Sequence, residues 1–341
     1  MIDTIKIISA IDYNAYTKIK SSSIIKTAYH SGTGEVYYQI INDSLEGSYS
    51  SSLSVRVGES KYNFYNSYYI EIEGSYHKII RGYNSHEGFY NLISVSLNLI
   101  KMVVKAYQFT LPTIKHWFLQ RVDIAKCFDL GSQEVIQKYI NSLNSCNYPR
   151  RKLKHYEGES IYLTGATTTL KIYNKLKEFE KHDKKKFKNS DFDIQKYLNT
   201  IKGFIRFECE IKKRKLSYIF KKNYIRVCNV SYNDLKNIFD DEFRKFFKIL
   251  QNDLELVYAQ ENVKLRLESL YKEVRARNLF NFYLVIQVRG LQEVKRDTNR
   301  SMYYKNISDL KKAKIDFTQK SNLDLTTNTI SFNPFEAPEV M

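Results

Sequence analysis

Residues Ile205-Arg-Phe-Glu-Cys-Glu-Ile-Lys212 alternate charge with apolar bulk along their whole length. Side chains leave a strand on opposite faces, so residues two apart share a face. Arg206, Glu208, Glu210 and Lys212 therefore line one side, with Ile205, Phe207, Cys209 and Ile211 on the other. Two further stretches read the same way. In Arg121-Val-Asp-Ile-Ala125, Arg121 and Asp123 lie together, with Val122 and Ile124 behind. In Leu170-Lys-Ile-Tyr-Asn-Lys175, Lys171, Tyr173 and Lys175 share a face, backed by Leu170 and Ile172. In one sheet, the three runs would bring carboxylates, cations and a phenol together over an apolar floor. That inventory suits metal-assisted attack of a tyrosine on a phosphodiester.

The rest of the chain is organised around these runs. Residues 2–8, 35–41, 52–57 and 68–73 read as strands parted by Gly, Ser and Asn turns. Residues 87–108 form an apolar helix, 119–126 a strand, and 131–143 a helix with Ser132 as N-cap. A basic segment, 148–155, precedes a hairpin-like pair at 160–163 and 169–175, and 176–190 is a charged helix or loop. Residues 230–271 are helical. A helix at 278–290 ends in glycine, and a short helix leads to a basic helix with Ser301 as N-cap, an arrangement like a helix-turn-helix. The fold expected is α+β. A largely antiparallel nuclease domain with flanking helices spans 1–260, a small helical DNA-binding region 261–316, and a poorly ordered tail 317–341.

Composition narrows the function. The chain has 341 residues and 43% hydrophobic content, enough for a real core, and a formal charge of +17. An excess that large favours a polyanionic partner, nucleic acid above all. The start lacks the apolar run of a signal peptide, and the most apolar stretch, 92–104, is interrupted by Ser, Asn and Lys, so no membrane association is expected. Cysteines 127, 146, 209 and 228 form no CxxC pair, which points to reduced thiols in the cytoplasm, with Cys127 and Cys209 as core filling. The six histidines include no His-x-His pair, which excludes metal binding of the kind one large class of DNA-nicking initiators uses. The 28 tyrosines suit base stacking but suit an A- and T-biased genome equally, so a single tyrosine needs its context to be informative.

Tyrosine is a poor nucleophile at its free pKa of about 10 and becomes a good one when cations favour the phenolate or a base takes the proton. Lys171 and Lys175 are candidates for that field. Asp123, Glu208 and Glu210 are hard oxygen ligands of the kind Mg²⁺ or Mn²⁺ takes. Arg121 and Arg206 suit phosphate oxygens, and Arg150, Arg151 and Lys152 of the basic segment, with Arg300 and Lys305 near the C-terminus, are candidate DNA contacts. The plainer reading of the same residues is a surface strand beside a salt-bridged strand.

In this order the motifs resemble a known family, the rolling-circle replication initiators of filamentous phages and related plasmids, of the gene II/gene X type. The resemblance covers most of the chain. It runs through Met1-Ile-Asp-Thr-Ile-Lys6, Ile72-Glu-Gly-Ser-Tyr-His-Lys-Ile-Ile-Arg-Gly-Tyr-Asn84, Gln120-Arg-Val-Asp-Ile124, Tyr162-Leu-Thr-Gly165, Leu170 to Glu178 and Arg206-Phe-Glu208. It continues from Thr298 into Leu310-Lys-Lys-Ala-Lys-Ile-Asp316. Tyr83 stands where the family usually has histidine, and Lys314 where glycine is common. Leu170-Lys-Ile-Tyr-Asn-Lys175 is also similar to the active-site strand of Gram-positive plasmid initiators. The resemblance implies that Tyr173 is the nucleophile and that Asp123 and Glu208 hold the metal. It also implies origin-specific nicking through a 5′-phosphotyrosyl link, later rejoining of the displaced strand, and a host helicase and DNA polymerase as partners. A homodimer is compatible with it. Two rivals stay open: a non-catalytic DNA-binding replication regulator or repressor, and a single-strand or RNA binder using tyrosines as stacking platforms.

Overall fold

A computed structural model describes residues 1–29, 31–33, 36–46, 51–59, 68–143, 148–156, 158–188, 190–254, 260–315 and 317. It divides into one unit of Met1–Asn141 with Arg150–Phe243 and a second of Ser142–Pro149 with Arg244–Met341.

The first unit is built on ten strands. Along the chain come β1 (Ile2–Ile11), α1 (Tyr13–Ser22), β2 (Ile24–Tyr29), β3 (Val36–Glu46), β4 (Ser52–Glu59), β5 (Tyr68–Ser75), α2 (Tyr76–Arg81) and α3 (Leu92–Tyr107). Then follow β6 (Phe118–Asp129), α4 (Gln133–Ser142), β7 (Lys152–Tyr156), β8 (Ser160–Thr164), β9 (Thr168–Asn174), α5 (Lys175–His182), α6 (Ile194–Ile201), β10 (Phe204–Lys212), α7 (Lys213–Phe220) and α8 (Tyr232–Leu254), which continues beyond the unit at Arg244. The strands form one sheet in the order β2-β3-β4-β5-β1-β6-β10-β9-β8-β7. Every neighbouring pair is antiparallel. The protein is thus α+β on a large antiparallel sheet.

The three alternating runs lie side by side as β6, β10 and β9. Ile124, Cys209, Leu170 and Leu163 face one another across four strands, as do Phe207, Ile172 and Ile161 across three. All seven are buried. Phe207 meets Phe243 of α8 and Phe128 of β6, each at 5.2 Å between ring centroids, so aromatic packing closes this face. With the apolar face committed to the core, a one-residue slip would bury the charged set, and the register is fixed.

Several elements differ from the sequence reading. The basic segment becomes an edge strand, β7, paired with β8, and its exposed lysines 152 and 154 discourage edge-to-edge association. α1 and β2 have no counterpart in that reading. The start of α1 is set by Asp12, whose carboxylate accepts the Ala15 N–H at 2.7 Å. β9 stops at Asn174, whose side chain caps α5 by accepting the Lys177 N–H at 3.2 Å. Lys175 is therefore the first residue of a helix and does not continue the face of Lys171 and Tyr173. Ser132 caps α4 as expected, accepting from Val135 N–H at 3.3 Å.

The second unit carries α9 (Gln260–Leu270), α10 (Glu273–Arg289), α11 (Leu291–Asp297) and α12 (Arg300–Lys312) around Leu267, Leu279, Tyr283, Ile286 and Leu310. Gly290, at φ +82°, ends α10, so the expected helix, glycine turn, short helix and basic helix are present. The cap of α12 is Asn299 rather than Ser301, because the Asn299 side chain accepts the N–H groups of Ser301 and Met302 at 3.0 and 3.4 Å. Lys314 sits at φ +56°, in the left-handed region that favours glycine. The expected tail, apart from Phe317, lies outside the described residues. Among the described residues, no helix is long and apolar enough to cross a membrane.

Candidate active site

The charged face of β6, β10 and β9 is organised by register. Asp123 stands opposite Glu210, Glu208 opposite Lys171, and Arg206 opposite Tyr173. The Tyr173 hydroxyl donates to Glu208 Oε2 at 3.0 Å, and Lys171 Nζ holds the other oxygen, Oε1, at 2.6 Å. Tyr173 is only 6% exposed. Burial pushes its phenol well above the ordinary value, against the opposing charge of Arg206. The group is therefore held as a phenol whose hydroxyl donates to the Glu208 side chain, the contact a general base needs. For Lys171, burial alone would lower the pKa, but the carboxylates of Glu208 and Asp123 outweigh it and the ammonium is firmly charged.

Arg121 organises the neighbouring acids. Its Nε and Nη2 donate to the two oxygens of Asp123 at 2.7 and 2.6 Å, and Nη1 reaches Glu73 at 2.9 Å. Burial raises the Asp123 pKa, with Glu208 adding to the rise and Arg121 opposing it. Among the described residues, no three His, Cys, Asp or Glu side chains are arranged to hold a metal ion. Asp123, Glu208 and Glu210 share the face, yet Arg121 and Lys171 stand among them as cation partners. This arrangement does not fit a three-ligand metal cage.

Beneath the tyrosine lies a polar layer that the sequence reading did not assign. Arg206 is fully buried; it donates to Ser85 O at 2.7 Å and Asn84 Oδ1 at 3.2 Å, and pairs with Asp3 at 3.0 Å. Its two terminal nitrogens are thus spent inside the protein. Asn84 Nδ2 also reaches the Tyr173 hydroxyl, at 3.5 Å. Asn84 closes the Ile72–Asn84 motif and Asp3 lies in the Met1–Lys6 motif, so a signal for both existed, whereas nothing marked Ser85. Tyr83, in the histidine position, packs edge-on to Phe179, Phe187 and Tyr197.

The pattern that defines the N-terminal region of the phage replication-associated protein, the gene II product, matches residues 1–229. The chain belongs to this family. No curated protein and no solved structure matches it. The matched span contains all the residues described above at the site.

The remaining candidate residues are spread more widely. Lys175 is fully buried and paired with Glu178 at 2.6 Å. Arg151 is paired with Glu242 at 2.5 Å, and the same carboxylate accepts from Thr168 and Lys215 at 2.8 Å. Arg150 and Lys152 are exposed on the first unit, and Arg300 and Lys305 on α12 of the second.

His77 lies in the same polar layer, and burial lowers its pKa to about 4, with Arg206 and Arg81 adding to the effect and Asp3 opposing it. The unfolded chain takes this proton near pH 6.5, while the folded protein resists it until about pH 4. Stability is therefore lost as pH falls through that window, by about 3 kcal/mol in all. Thermal melts between pH 7 and 4 are expected to show this slope, flattened in His77→Phe. An unchanged slope in the variant would reassign the acid lability.

Proposed function

We propose that this protein initiates rolling-circle replication by nicking one DNA strand at an origin with Tyr173 and later rejoining the displaced strand. The observation that carries the reading is the Tyr173 hydroxyl held on Glu208 Oε2 at 3.0 Å while Lys171 holds Oε1. Glu208 takes the phenolic proton, and Oη bonds to phosphorus. The bond from phosphorus to the 3′ oxygen breaks, and that oxygen leaves with a proton from solvent. One phosphodiester is exchanged for another, so attack by a 3′-OH reverses the step without a nucleotide cofactor. Asn84 and the Arg206 layer position the ring, and Lys171 holds the Glu208 carboxylate in its orientation. Family membership supports a replication role, and the charge of +17 supports DNA as the partner.

The test is covalent capture on negatively supercoiled plasmid carrying the element's own intergenic region. The assay is run with Mg²⁺, with Mn²⁺ and with chelator. Open circles with protein-linked 5′ ends are expected, slowed roughly 10²–10⁴-fold in Glu208→Gln, which cannot accept the proton. Loss of the adduct in chelator would assign a divalent ion to the reaction. Tight binding of the same DNA with no adduct in any condition would overturn the enzyme reading in favour of a regulator, with Arg300 and Lys305 of α12 as its first candidate contacts.

A further inference from the structure

A cleft of about 250 Å³ opens beside Tyr173 between β8 and α5, lined by Tyr156, Tyr162, Lys177 and Lys181 among others. Its volume is below that of pockets for drug-sized ligands and suits a single ring system. Tyr156 and Tyr162 stand edge to face, with centroids 5.8 Å apart and planes at 86°. Tyr156 is 49% exposed, so its ring is accessible from the cleft it lines. Tyr162 lies on the same cross-strand row as Lys171 and Lys154. Both acids of the lining have cation partners, Glu178 in Lys175 at 2.6 Å and Glu159 in Lys181 at 3.7 Å.

We infer that this cleft seats one unpaired nucleobase of single-stranded DNA next to the phosphate that Tyr173 attacks, with Tyr156 and Tyr162 as its stacking walls. The inference rests on the Tyr173 reading for the position of the phosphate, and its grounds are steric. Tyr173 is recessed at 6% exposure and itself lines the cleft, so a strand seated there lies next to it. Within a duplex the flanking base would have to remain in its stack, and a slot of this size does not admit a base pair. Once the base is out, an aromatic wall repays part of the unstacking in a sequence-tolerant way. Lys177, also on the lining, supplies a cation for the backbone.

The experiment measures binding of fluorescein-labelled dT10 to the full chain by anisotropy, alongside the covalent capture assay. Tyr156→Leu and Tyr162→Leu are each expected to weaken dT10 binding roughly tenfold. Tyr156→Phe and Tyr162→Phe keep the ring and are expected to bind as the wild type does. The salt dependence is expected to be shared by all five proteins, since the phosphate contacts are untouched. Leucine variants that bind like the wild type would overturn the proposal, as would wild type binding dT10 no better than duplex. The two readings fail separately. Adduct formation with leucine-insensitive dT10 binding removes the cleft and keeps the nickase. Leucine-sensitive binding without an adduct removes the nickase and keeps the cleft. Melting curves identify any variant that is misfolded, and the exposed Tyr156 provides a substitution that leaves the core untouched.

Discussion

Tyr173→Phe is expected to cut covalent DNA capture by about 10⁴-fold or more, because it removes the atom that bonds to phosphorus. The fold should survive. The ring keeps its place on β9 between buried Ile172 and the Asn174 cap, and Glu208 keeps Lys171 on its other oxygen. Loss of the hydrogen bond at 3.0 Å leaves one carboxylate oxygen without its donor, at a cost of about 1–3 kcal/mol. A labelled oligonucleotide followed through denaturing gels reads the capture, and a thermal melt reads the cost. Full activity in the variant would move the nucleophile to another tyrosine, with Tyr162 and Tyr156 in the adjoining cleft as the first candidates.

Arg206→Met is expected to have the largest effect on stability. The side chain is fully buried, and its loss strands Asp3, itself 3% exposed, with Ser75 as its remaining hydrogen-bond donor at 2.9 Å. Burial by itself would raise the Asp3 pKa, yet the guanidinium overrides it and holds the carboxyl down at about 2. Breaking a buried pair from one side costs about 3–5 kcal/mol, which in a domain of this size lowers the melting temperature by roughly 6–20 °C. Asp3→Asn added to Arg206→Met should recover part of the loss, since no stranded charge remains. A variant that melts like the wild type but no longer binds DNA would instead make Arg206 a phosphate contact.

The central strands were legible in the sequence because alternation over β6, β9 and β10 is a local property, and burial of one face makes it decisive. Tyr173, Lys171, Glu208 and Asp123 were legible for the same reason, since once the strands pair, register alone brings them together. Lys175 was misplaced because a strand reading extends past Asn174, and only the capping hydrogen bond reveals where the helix begins. The buried role of Arg206 was not legible either. A charged residue on an alternating face reads as exposed unless something covers that face, and its partners Asp3, Asn84 and Ser85 are 121 or more positions away. Long-range covering of this kind leaves no periodic mark. The left-handed Lys314 did leave one, as a lysine where the resemblance puts glycine.

The most direct test of the account is to locate the DNA on the polypeptide. The wild-type protein would be trapped on a single-stranded oligonucleotide from the element's own intergenic region, then digested with protease and nuclease and mapped by mass spectrometry. A nucleotide remnant is expected on Tyr173, in the peptide that carries Leu170-Lys-Ile-Tyr-Asn-Lys175 or a fragment of it. A remnant on Tyr156, Tyr162 or any other residue would contradict it.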